Sequence, residues 1–224
     1  MTQTSEKKMA RTIMIEGPSG RGKSFSLRNL PKKHTVIANH ERKTLPFKGH
    51  KDLVQHRPMN VKDTFALMEK CITDPVCQIY VVESLSAFLD MLLAECRILK
   101  KGWDVFSLYN EKIYKFFELI RKFNDAGKYV IVISHDDVIT NELTGDTQVV
   151  AKVKGKEWQG VIEKEFDIVL HAEIEFDENK NPKYQFRTQT DGVVPAKAPF
   201  EMFDSVMVDN DLFEILKKVK EYDG

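Results

Sequence analysis

Gly17-Pro18-Ser19-Gly20-Arg21-Gly22-Lys23-Ser24 follows the apolar run Thr12-Ile13-Met14-Ile15-Glu16 and leads into Phe25-Ser26-Leu27-Arg28-Asn29-Leu30. The octapeptide fits G-x-x-x-x-G-K-[ST], and it falls where that pattern has physical meaning, between a strand and a helix start over Ser24 to Leu30. Glycines let the backbone curl so that successive N–H groups converge on a β-phosphate. A helix N-terminus behind them adds partial positive charge. Lys23 is placed to neutralise β- and γ-phosphates, and Ser24 to offer its hydroxyl to Mg²⁺. Gly17, Pro18, Ser19, Gly20, Arg21, Gly22, Lys23, Ser24 and Phe25 are therefore the expected contacts of a nucleoside triphosphate, with ATP and Mg²⁺ the expected ligands. A glycine-rich surface turn is the bland alternative, and the flanking strand and helix argue against it.

The rest of the chain suits a globular α/β domain. It has 224 residues, 42% hydrophobic and 30% charged, enough to bury one substantial core. Residues 1–10 read as a disordered tail and 11–224 as a single domain. No apolar run approaches a membrane span and no signal-peptide pattern is visible, so the expected setting is the cytoplasm, without membrane contact. Cys71, Cys77 and Cys96 form no C-x-x-C pair; reduced thiols are expected and a zinc site is not. Net charge is zero, yet the first 60 residues hold 13 Lys/Arg against 4 Asp/Glu and the remainder 21 against 30. That imbalance fits either a solvated surface or two oppositely charged faces suited to head-to-tail assembly.

Apolar runs alternate with helical periodicities. Strands are expected at His34–Asn39, Gln78–Ser84, Tyr129–His135, Phe166–Glu175 and Lys183–Thr188, with a short one near Leu53-Val54. Helices are expected over Val61–Cys71, Leu85–Leu99, Phe106–Asn124 and Asp209–Tyr222. Asp136 to Trp158 reads as a polar connection. The order predicts a three-layer α/β P-loop fold around a mostly parallel sheet.

Three strand ends carry candidate chemistry. Glu83 closes Val81-Val82-Glu83-Ser84 where a carboxylate normally holds the Mg²⁺ water shell, so Ser24 and Glu83 are the expected metal residues. Glu is one methylene longer than the usual Asp, which asks for a slightly withdrawn strand end. Glu41 either orients the attacking water or stands as an exposed carboxylate in a basic loop. His135 either reports the γ-phosphate to the next loop or merely caps its strand.

The combination resembles the RecA-like ATPases, in particular the small phage-encoded proteins of the Sak type, over most of the chain. It rests on GPSGRGKS at 17–24, Glu41, YVVESLSAF at 80–88, GWDVFSLYNEKI at 102–113, VIVISHDDV at 130–138, KGKEWQGVIEKEFDIVLHAEI at 154–174 and RTQTDGVVPAKAPFEMF at 187–203. The resemblance implies ATP hydrolysis by Lys23, Glu41, Glu83 and His135, and assembly into a ring or filament. It also implies action on single-stranded DNA in recombination, annealing or repair. A basic residue of a neighbouring copy would complete the site, with Lys152, Lys154 and Lys156 as candidates. DNA contact would fall on Lys100, Lys101 and Trp103 and on Lys152, Lys154 and Lys156, cations interleaved with an aromatic ring. Against this, a tryptophan is more often a packing anchor, and the bland reading has Trp103 simply stapling the Gly102 turn. Two rivals share the loop: a small-molecule or nucleotide kinase, disfavoured by the lack of Arg over 136–158, and a non-catalytic protein whose assembly ATP gates.

Overall fold

A computed structural model describes residues 10–224. The expected tail lies outside the described residues except for Ala10, which is buried. Eight strands form one sheet: β1 (Thr12–Glu16), β2 (Thr35–Asn39), β3 (Val54–His56), β4 (Ile79–Glu83), β5 (Tyr129–Ile133), β8 (Ile168–Phe176), β9 (Pro182–Arg187) and β10 (Met207–Asp209), in the order β10-β9-β8-β1-β5-β4-β2-β3. From β8 to β3 every pairing is parallel; β9 and β10 add an antiparallel edge.

Parallel strands buried on both faces read as continuous apolar runs, and here every residue of β1 and β4 is buried. Met14, Tyr80, Val82, Val130 and Val132 face a core closed by α1 (Val61–Thr73), α2 (Leu85–Leu99) and α3 (Asp104–Asp125). Ile13, Ile15, Val81, Ile131 and Ile133 face the other layer, made of a short 3-10 helix over Ser24–Asn29 and α4 (Leu212–Asp223). The three layers expected from the sequence are present. Asn60 caps α1 by accepting from the Asp63 N–H, and Ser84 caps α2 by accepting from the Ala87 N–H.

The chain leaves β1 toward one side of the sheet and returns from β5 to β8 on the other, so β1 stands at a switch point. Crevices at such points, beyond the carboxyl ends of the strands, receive ligands. Two departures from expectation matter. The helix after the P-loop is a six-residue 3-10 helix, because Pro31 forces Leu30 into extended backbone (ψ 147°). The expected charge of a long helix N-terminus is correspondingly small. The polar stretch 136–158 contains a hairpin, β6 (Asp136–Thr140) with β7 (Thr147–Ala151), standing as its own two-stranded sheet. Acidic and Thr residues broke its apolar pattern.

Candidate nucleotide site

The loop after β1 takes its shape from close backbone approach. Gly17 has φ +145°, and a Cβ there would lie 3.0 Å from the Ala172 carbonyl oxygen on β8. At Gly22 (φ +85°) a Cβ would lie 2.7 Å from the Tyr184 ring. Only glycine meets both demands at each position. Lys23 is buried, and its Nζ donates to the Gly17 and Pro18 carbonyls at 2.5 and 2.8 Å. Burial pulls its ammonium below the ordinary value, while Asp136, Glu83 and Glu41 oppose that pull. The lysine thus rests on carbonyls that a phosphate can replace.

Ser24 and Glu83 meet as strand-end logic requires: Ser24 Oγ donates to Glu83 Oε1 at 2.6 Å. The second oxygen, Glu83 Oε2, is buried and has no hydrogen-bond partner among the described residues. Burial pushes the Glu83 carboxyl up to about 7, against the opposing hydrogen bond from Ser24. The extra methylene of Glu is accommodated. A hydroxyl and a carboxylate with one orphaned oxygen are donors suited to a hard cation, and they fit Mg²⁺. Among the described residues no three His, Cys, Asp or Glu are grouped to hold a metal by themselves. Phosphate oxygens would have to supply the remaining ligands.

Glu41 and His135 also converge on the site. His135 Nε2 lies 2.9 Å from Glu41 Oε1, and Lys43 Nζ lies 2.9 Å from Glu41 Oε2. Burial raises the Glu41 carboxyl, but hydrogen bonds from Lys43 and His135 outweigh it and hold the group below its ordinary value. Two carboxyls in one cavity are therefore pushed in opposite directions. The Ser84 hydroxyl donates to Glu41 at 3.4 Å. His135 is also tied to α2 and to the residue that follows β7. Its N–H donates to Ser86 Oγ at 3.1 Å, and its carbonyl accepts from the Lys152 N–H at 2.8 Å.

These groups line one cavity of about 520 Å³, running from Ser19, Gly20 and Gly22 past Lys23 and Ser24 to Glu41, Glu83 and His135. That volume is in the range of ligand sites. Phe25 and Tyr184 line it too. Tyr184 had no local signal in the sequence beyond its place in a strand, because only the β9 pairing brings it to Gly22. Glu16 was also missed: it is fully buried, both carboxyl oxygens lack partners among the described residues, and burial with Glu163 and Asp136 holds it well above its ordinary value.

The two tryptophan-bearing segments differ. Trp103 is 88% exposed, beside exposed Lys100 and Lys101, so it does not staple its turn. Trp158 is buried against Tyr114 and Phe117, with Nε1 donating to Asn110 Oδ1 at 3.0 Å. It is a packing anchor. Lys152, Lys154 and Lys156 are exposed, and Lys154 lies 3.8 Å from Asp90 on α2. Asp90 and Lys100 are ten residues apart, so the two basic groups are separated by roughly 15 Å along α2.

The loop, its lysine, the Ser24–Glu83 pair and the switch-point crevice together define a P-loop nucleotide-binding domain. The family model for the AAA domain matches residues 9–200. The chain belongs to that family, whose class chemistry is nucleotide binding and ATP hydrolysis. No curated protein matches the chain. Among the described residues no helix is long and apolar enough to cross a membrane.

Proposed function

We propose that this protein is a Mg²⁺-dependent, RecA-like ATPase that self-assembles and acts on single-stranded DNA in recombination, annealing or repair. The observation that carries the ATPase reading is the Ser24–Glu83 hydrogen bond of 2.6 Å, set beside Lys23 in the cavity that also holds Glu41 and His135. Lys23 exchanges the Gly17 and Pro18 carbonyls for phosphate oxygens and binds the substrate. Mg²⁺, when bound, neutralises charge on the β- and γ-phosphates. Glu83 holds the metal side of the site through Ser24 and its free oxygen. Glu41, kept ionised, orients water for in-line attack and accepts its proton. His135, hydrogen-bonded to Glu41 and joined through its backbone to Lys152, passes the state of that end of the cavity to the 152–156 segment.

The DNA reading is supported by the α2–α3 turn, where Lys100 and Lys101 flank the open ring of Trp103. Cations track phosphates and an exposed aromatic ring stacks a base without reading its identity. The test is single-stranded DNA binding titrated against salt, with and without ATP and Mg²⁺, alongside phosphate release. Salt-sensitive binding together with DNA-stimulated release is the expected result. Binding absent or salt-insensitive in every state would remove the DNA role, and phosphoryl transfer to a nucleoside would replace it with a kinase.

A further inference from the structure

The two edges of the sheet carry unlike surfaces. Residues 188–206 close the β10 edge: the Thr188 N–H donates to the Val206 carbonyl at 2.8 Å, and Lys197 bridges to Val169 at the start of β8. In this segment Met202 is buried and Phe203 packs against the core, but Phe200 is 82% exposed, with Val206 half-exposed in the same shallow cleft. Glu201 holds φ +61°, left-handed backbone that side chains rarely adopt, in a turn where the Met202 N–H donates to the Pro199 carbonyl at 3.3 Å. Strain of this kind persists where the surrounding structure imposes it, and it marks functional surfaces. The Glu201 carboxylate has no hydrogen-bond or ion-pair partner among the described residues, and exposed Asp204 meets Lys218 at 3.2 Å.

At the opposite edge, just before β3, lies a recess of about 670 Å³. Leu45, Pro46 and Phe47 give it an apolar lining, and the His50 ring stands edge-on to Phe47 with centroids 6.5 Å apart. Lys48 and Lys51 line it as well, exposed and without ion-pair partners among the described residues. The lining acid, Asp52, is taken by Lys32 at 2.5 Å.

One edge thus presents an aromatic ring flanked by carboxylates, and the other an apolar recess flanked by ammonium groups. We propose that the occupant of the recess is Phe200 of a second copy of this chain, with Glu201 and Asp204 meeting Lys48 and Lys51. The cations of the recess belong to the basic first 60 residues and the carboxylates of the turn to the acidic remainder, so the charge imbalance of the sequence becomes a difference between two edges. An aromatic anchor in a pocket with opposite charges around it is what a specific contact needs. Ring and recess are different surfaces, so the contact is head-to-tail and leaves each joined pair with a free ring and a free recess for the next copy. Glu201 and Asp204 lie past residue 200, where the family match stops. Leu45 and Pro46 also line the nucleotide cavity, so the contact adjoins the phosphate site. This contact rests on the self-assembly proposed above and gives it its surfaces.

The test is sedimentation velocity over a concentration series, with and without ATP and Mg²⁺. It compares the wild type, Phe200→Arg, and the double variant Lys48→Glu with Lys51→Glu. All three positions are exposed, so each variant should melt with the wild type. Each variant alone should assemble roughly thirtyfold more weakly, the size of losing an interface anchor. An equimolar mixture of the two should form one-to-one pairs and nothing larger, because Phe200→Arg keeps its recess and the double variant keeps its ring. Variants that assemble as the wild type does would overturn the proposal and leave the turn to a partner of another kind. A mixture that stays monomeric while the wild type assembles would overturn it too, since a head-to-tail contact must be rescued by mixing. A wild type that stays monomeric in every nucleotide state would instead remove the self-assembly reading, and this contact with it, while leaving phosphate release to be judged by itself.

Discussion

Around the P-loop, Lys23, Ser24, Glu83, Glu41 and His135 fix one another or the loop through hydrogen bonds, in a cavity closed by three strand ends. At the α2–α3 turn, the side chains of Lys100, Lys101 and Trp103 have no hydrogen-bond or ion-pair partner among the described residues, and Ile98 and Leu99 beside them are 84% and 67% exposed. One region is arranged before its ligand arrives; the other presents chemistry with no fixed arrangement. Preorganised polar groups lose little freedom on binding, whereas free side chains must be ordered at that moment. The difference teaches where effects on function should be large and where they should be graded.

The sharpest way to break this contrast is Lys23→Ala. It should abolish turnover and weaken ATP binding by roughly 2–5 kcal/mol, the size of a truncated buried charge contact; calorimetric titration and phosphate release measure both. Full activity in that variant would remove the loop from the mechanism. Next in size is Trp158→Ala, which deletes a buried indole and leaves Asn110 without its donor. A loss of about 3–5 kcal/mol is expected, a fall in melting temperature of about 10 °C for a chain of this length. Trp103→Ala should stay within about 0.5 kcal/mol of the wild type in stability. It should nevertheless lose about 1–3 kcal/mol of single-stranded DNA affinity. If both tryptophan variants melt alike, the two segments do not differ as described.

Glu83 gives a pH test of the ordered region. Its carboxyl is pushed up to about 7 in the fold and titrates near 4.5 when unfolded. The raised value favours the folded state fully below 4.5, and that contribution is lost as pH rises through 7. Glu16 acts in the same direction. His40, lowered to about 4 by burial, acts in the opposite one, destabilising the fold as pH falls below 6.5. The informative measurement is therefore the difference in melting temperature between wild type and Glu83→Gln without nucleotide, which should be small at pH 5 and widen toward pH 8 in favour of Glu83→Gln. In parallel, Mg²⁺-ATP affinity of the wild type should rise across pH 6 to 8, because the cation requires the ionised carboxylate. A flat difference curve would deny Glu83 its raised value. The smallest effect belongs to Lys100→Ala with Lys101→Ala: two fewer phosphate contacts should lower the salt dependence of single-strand binding by about 1.4 in log–log slope.

How much of this was legible in sequence depends on the range of the interactions. The sheet was legible because strands buried on both faces need unbroken runs such as Ile79-Tyr80-Val81-Val82 and Val130-Ile131-Val132-Ile133. The meeting of Ser24 with Glu83 followed from the same logic, since parallel strands end along one edge. The β6–β7 hairpin was hidden by Asp136, Asp137 and Thr140, which give a strand no apolar signature. Trp158 and Tyr184 were illegible for another reason. What decides their roles is contact with Asn110 and Tyr114 in one case and Gly22 in the other, residues far away in the chain that only the assembled fold brings close.

The C-terminal helix α4 begins beyond residue 200, where the family match stops. Yet its first residues grip the P-loop's own helix: Asp211 Oδ2 accepts from Asn29 Nδ2 at 2.6 Å and lies 3.6 Å from Arg28, while Leu212, Ile215, Leu216 and Val219 pack with Leu27 and Leu30. At its other end Asp223 takes Arg11 in an ion pair beside the start of β1. Asp211 to Asp223 are thus a bracket that ties the 3-10 helix behind the phosphate loop to the start of β1, the strand that leads into it. A protease that clipped them off would leave Lys23, Ser24, Glu41, Glu83 and His135 in the chain and take away the mounting that holds the helix behind the loop.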